Sequence, residues 1–195
     1  MRFSLNNILS MLIITVAGVA GSVIFGLITY GSNVFSSMSP GFSFLAYGLS
    51  GAFIFAFYHV RGLSETITTA VVVSTIQFVG SLAWISILSA AIWSFGVNLP
   101  VVVLAFVFER KLLQLKQVRF IVVALVYGAM FVLLSLLGGW VAGVEEIPAS
   151  VFRENFIDGV LIGLGLGLGV QGGEAFVVSL EHHRAARVSG ARRSE

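Results

Sequence analysis

The chain has 195 residues, 57% of them hydrophobic and only 10% charged, and its mean hydropathy is +1.01. Soluble domains carry about 25% charged and about 45–50% apolar residues, and disordered chains are poor in apolar residues and rich in charge. A water-soluble domain and a disordered chain are therefore both excluded, and the composition points to an all-α integral membrane protein.

The charges punctuate the chain. No charge falls between Arg2 and Arg61, room for two crossings of about 20 residues each. Turn formers at Gly31-Ser32-Asn33 and Ser39-Pro40-Gly41 divide them, which predicts spans over 8–30 and 42–58. The uncharged stretch between Glu65 and Glu109 predicts two more, over 66–92 and 97–113. Their joint is expected near Trp93-Ser94-Phe95-Gly96-Val97-Asn98, with Pro100 in a first helical turn. A fifth span is expected over 120–143. A sixth, over 155–180, is interrupted by Asp158 and Glu174. The predicted fold is thus a bundle of six transmembrane helices in one domain, 1–180, followed by a flexible basic tail over 181–195.

Lys and Arg favour cytoplasmic loops. With both termini cytoplasmic, all of the 11 Lys and Arg except Arg153 fall on the inner side. The outer segment before the sixth span holds Glu145, Glu146 and Glu154. The expected location is a bacterial inner (cytoplasmic) membrane. Met1-Arg2 and the apolar run to Ser22 could also read as a secretory signal, but they are taken as a retained first span.

Helices in lipid associate through small residues and interhelical hydrogen bonds. Thr15, Gly18, Ser22, Gly26 and Thr29 share one face of the first span, opposite Val16, Val23 and Leu27. The sixth span carries two glycine stripes. Gly159, Gly163 and Gly167 form one, and Gly165, Gly169 and Gly173 the other. They predict a central helix held closely from two sides.

The candidate substrate-binding residues are Thr15, Gln77, Gln171 and Glu174. Gln77 and Gln171 are both placed about 15–17 Å deep by the 1.5 Å helical rise, so they could bond each other or share a ligand. Glu174 is an ionisable group within a span, a functional candidate by default, and a contact with His59 or Arg61 is expected.

Other patterns match in letter only. Gly48-Leu49-Ser50-Gly51-Ala52 resembles the Gly-x-Ser-Gly element of rhomboid intramembrane proteases. That chemistry needs a histidine within reach of the serine, and His59 lies about 13 Å along the same helix. Gly167-Leu168-Gly169-Val170-Gln171-Gly172 has dinucleotide spacing but lies inside a predicted span, not between a strand and a helix. His182-His183 diverge on a helix. No catalytic residues, cofactor or metal are expected, and the chain holds no cysteine. The segment from Glu109 to Arg119 alternates basic and apolar groups and is expected on the membrane surface.

The expected partners are the lipid bilayer, other membrane subunits and a small solute, with no nucleic acid. Size, six spans and inward termini are similar in layout to the substrate-binding S components of energy-coupling-factor transporters. Two functions follow from these features. The leading one is a solute transport or binding subunit with a pocket among helices 1, 3 and 6. The other is a non-catalytic scaffold subunit of a larger membrane complex.

Overall fold

The computed structural model describes residues 4–37, 39–83, 85–98, 119–144 and 146–191. All regular structure among them is helical. The elements in order are α1 (Leu5–Tyr30), a 3-10 turn (Gly31–Phe35), α2 (Phe42–Arg61), α3 (Leu63–Ser81), α4 (Ile87–Asn98), α5 (Arg119–Val141) and α6 (Ala149–Ala191). Four segments are long and apolar enough to cross a membrane: Leu5–Phe35, Phe42–Arg61, Arg119–Val141 and Ala149–His183.

Local chemistry explains the boundaries. The Ser4 hydroxyl accepts from the Asn7 N–H at 3.2 Å and caps α1. Gly62 separates α2 from α3 with φ +81, a conformation a residue with a Cβ rarely adopts. Its N–H closes the end of α2 on the Tyr58 carbonyl. Across this turn Arg61 Nε lies 3.7 Å from Glu65 Oε2.

The expected uninterrupted span over 66–92 is divided. α3 stops at Ser81, and α4 starts at Ile87 behind Ser86, whose hydroxyl accepts from the Ser89 N–H at 3.3 Å. That cap gives the first turn of α4 a partner outside α3. Residues 97 and 98, expected to open a fourth span, belong to the helix that starts at Ile87, and the described residues of that stretch stop there. The rest of that span and the basic segment from Glu109 lie outside the described residues, apart from Arg119, which opens α5. α6 begins at Ala149 and stays helical to Ala191, so most of the expected flexible tail belongs to this helix.

α6 is the axis of the bundle, packed chiefly against α1 and α5, with α2 beside α1. Gly159, Gly163 and Gly167 face α5. A Cβ there would lie 2.5 Å from the Tyr127 carbonyl oxygen, 2.7 Å from Ala124 Cα and 2.7 Å from Phe120 Cα, respectively. Gly165, Gly169 and Gly173 face α1, where the same addition would meet the Gly21 carbonyl oxygen at 2.5 Å, Gly18 Cα at 2.8 Å and Ile14 Cα at 2.9 Å. Both neighbours therefore approach α6 backbone to backbone. This is how helices gain packing energy where burial of apolar surface supplies little.

The Gly18, Ser22 and Gly26 stripe of α1 turns to α2. A Cβ on Gly18 would lie 2.7 Å from that of Ala52, one on Gly26 would lie 2.8 Å from that of Phe44, and the Ser22 hydroxyl donates to the Phe44 carbonyl at 2.8 Å. Opposite it, Val16 and Leu27 are exposed as expected, but Val23 packs against the core. Tyr47 of α2, Trp93 of α4 and Phe131 of α5 form an edge-on aromatic cluster that ties α4 to the bundle. The outward faces of α1, α3 and α5 carry Leu12, Ile28, Ile76, Leu125 and Leu136, all exposed. Such faces are compatible with lipid contact.

Candidate functional site

Three polar constellations join the helices. The first centres on Glu174, in the second half of α6. One carboxylate oxygen accepts from an Arg119 guanidinium N–H, and the other lies 3.5 Å from His59 Nδ1. α2, α5 and α6 are thereby pinned at one level. The side chains are 34% exposed for His59, 26% for Arg119 and 22% for Glu174, so the cluster is shielded but not dry. The expected contact between Glu174 and His59 is formed. Arg119 was not anticipated as a partner, because it lies 55 residues away in sequence and reads there as part of a surface segment.

The second constellation is an amide and hydroxyl network joining α2, α3 and α4. Asn98 Nδ2 is shared among the Gln77 Oε1 at 2.5 Å, the Ser94 carbonyl at 3.1 Å and Ser74 Oγ at 3.3 Å. Asn98 Oδ1 accepts from Ser50 Oγ at 3.1 Å, and Gln77 Nε2 donates to the Ala46 carbonyl at 3.1 Å. Ser50, Ser74, Ser94 and Asn98 are all buried. The Ser50 and Ser74 hydroxyls and both ends of the Gln77 and Asn98 amides have partners, which buried polar groups require. Ser50, the residue of the rhomboid-like segment, is thus bonded to an amide and not to a histidine.

The third is a single bond. Tyr30 Oη donates to Asp158 Oδ2 at 2.7 Å, joining the end of α1 to the first turns of α6. Asp158 is only 9% exposed, so this donor answers a carboxylate largely removed from water.

The expected binding residues are dispersed among these. Gln77 belongs to the second constellation, Glu174 to the first, and Thr15 is half-buried on α1. Gln77 and Gln171 do not bond each other. Gln77 is held by Ala46 and Asn98, whereas Gln171 Oε1 is buried without a hydrogen-bond partner. Among the described residues α3 touches α2 and makes no direct contact with α1 or α6. The helical rise placed the two glutamines at one depth, but depth carries no information on lateral position. Asn98 was missed as a site residue because Gly96-Val97-Asn98 before Pro100 reads as a turn. Its spacing of four from Ser94, which suits a helix face, is the signal that could have found it.

Replacing Asn98 with leucine is expected to leave Ser74 Oγ and Gln77 Oε1 on α3 without this donor, while Ser50 Oγ on α2 keeps the Tyr47 carbonyl at 3.3 Å. Each buried group left unpaired costs about 1–3 kcal/mol. The expected result is a lower unfolding temperature, with amide exchange accelerated in α3 and α4 before α1 and α6. Uniform acceleration across all helices would show that the network does not hold α3 and α4 to the bundle.

Among the described residues no group of three or more His, Asp or Glu side chains is placed to hold a metal ion. These features define an all-α protein with four helices of membrane-crossing length and apolarity. Comparison of the chain with protein-family models, curated proteins and solved structures finds no match.

Proposed function

We propose that the chain is a non-catalytic subunit that scaffolds a larger assembly in a bacterial inner (cytoplasmic) membrane, with six crossings and both ends in the cytoplasm. The two crossings beyond the four apolar spans fall to α3, about 28 Å long by its rise, and to the apolar run that α4 opens. The near-exclusive distribution of Lys and Arg to alternate segments supports the orientation.

The observation that carries the scaffold reading is the close seating of α6 on α1 and α5, backbone against backbone through six glycines. The centre of the bundle is thus filled by main chain, and the Gln77 and Asn98 amides bind helix to helix. Extraction in mild detergent followed by native mass spectrometry tests this. Companion polypeptides in fixed stoichiometry are the expected result.

One observation favours a solute-binding subunit as a second reading: the unpartnered Gln171 Oε1, one helical turn from Glu174. A lone chain that retains a small solute, and loses it on Gln171→Leu, would establish that reading and end the first.

A further inference from the structure

The glycine stripe of α6 that meets α1 ends at Gly173. Beyond it the two helices carry full-sized side chains, and they part around a groove of about 300 Å³. That volume lies at the lower end of the range typical of small-molecule sites, about 300–1,000 Å³.

The lining is graded by depth. Ile13 of α1 and Val177 of α6 form the inner end, nearest the glycine contact. Leu9 and Leu180 follow, and Asn6 and Glu181 stand at the mouth. Ser10, also in the wall, is already bonded to the Asn6 carbonyl at 2.9 Å. Glu181 is exposed and is the charged residue of the mouth among the described residues. Among the described residues the groove therefore offers an apolar floor toward the glycine contact and one carboxylate, that of Glu181, at its outer end. A molecule that fits both has a hydrocarbon tail and a cationic head able to donate hydrogen bonds.

We propose that this groove holds one phospholipid with a primary-amine headgroup from the leaflet bordering both chain ends. Its ammonium sits on Glu181, and the head-proximal part of one acyl chain lies against Leu9, Ile13, Val177 and Leu180. A choline headgroup has the charge but no N–H donor, and a glycerol headgroup has no cation. Discrimination thus rests on one exposed carboxylate. Exposed ion pairs are modest in strength, so a few-fold preference is expected and not an absolute one.

The test uses the full-length chain, stripped of lipid in detergent and titrated with phosphatidylethanolamine, phosphatidylcholine and phosphatidylglycerol of identical chains, with adducts counted by native mass spectrometry. Phosphatidylethanolamine is expected to be retained several-fold over the other two. Glu181→Gln should bring it down to the phosphatidylcholine level, and Ser10→Trp, which fills the groove, should reduce all three. Equal retention of the three lipids by the unaltered chain would overturn the proposal. So would an ethanolamine preference that survives Glu181→Gln, or adduct numbers unmoved by Ser10→Trp. Because none of these readouts involves companion subunits or a retained solute, the result stands apart from the scaffold reading.

Discussion

Gly169→Leu is expected to abolish the native bundle, whereas Gly172→Leu, three residues along the same helix, leaves it intact. At Gly169 a Cβ would sit 2.8 Å from the Ala17 carbonyl carbon and 2.8 Å from Gly18 Cα, while at Gly172 it would meet nothing within 4 Å. Overpacking against side chains costs about 1–3 kcal/mol because they can rotate away. Here the obstacle is main chain, so α1 as a whole must move, and the cost falls at or above the top of that range. The pair controls for helix propensity, since both replace a glycine of α6 with the same residue. Thermal unfolding in detergent, with size-exclusion chromatography to report the folded fraction, reads the outcome. Similar melting of the two variants would remove close backbone approach as the basis of the fold.

The second large effect concerns Glu174. Glu174→Leu leaves Arg119 and His59 facing a hydrocarbon side chain at a shielded position. Breaking a fully buried pair costs about 3–5 kcal/mol. With about a quarter of each partner exposed, water recovers part of that, and about 1–3 kcal/mol of destabilisation is expected. The double variant Glu174→Leu, Arg119→Leu should regain most of the loss, because an ion pair exchanged for packed apolar groups is often close to neutral. The signature is therefore non-additivity in a double-mutant cycle on unfolding temperature. Additive losses would mean that the two side chains do not act on each other.

How much of this was readable beforehand differs from element to element. The stripes of α6 were legible because regular glycine spacing on a span-length apolar run has one economical physical use, close helix approach. Their two partners were not, since the spacing says how many faces are in contact but not which helix occupies each. The partition of α3 from α4 was hidden for a different reason. Ser81-Leu82-Ala83-Trp84-Ile85-Ser86 has no charge, proline or glycine, and only the Ser86 cap marks the new start. Gln77 stands out in the sequence as a polar group within a span, expected to meet Gln171 or a ligand, but its side-chain partner is Asn98 of α4, which reads there as loop. Glu174 was the clearest case. A carboxylate inside an apolar helix must be answered by a donor, and His59 was the histidine at the matching level.

The length of α6 has a mechanical consequence. At 43 residues it extends about 65 Å, roughly twice the hydrocarbon thickness of a bilayer. A rod of that reach could act as a piston only if it slid along its neighbours. Glycine alternates with leucine from Gly163 to Gly169, so an offset of a single residue would drive Leu164, Leu166 and Leu168 into the main chains of α1 and α5. A one-residue slip is thereby opposed by main chain, and the glycines come back into register only after a full helical turn. An axial load on α6 shorter than that turn is therefore carried by α1 and α5 through the glycine contacts.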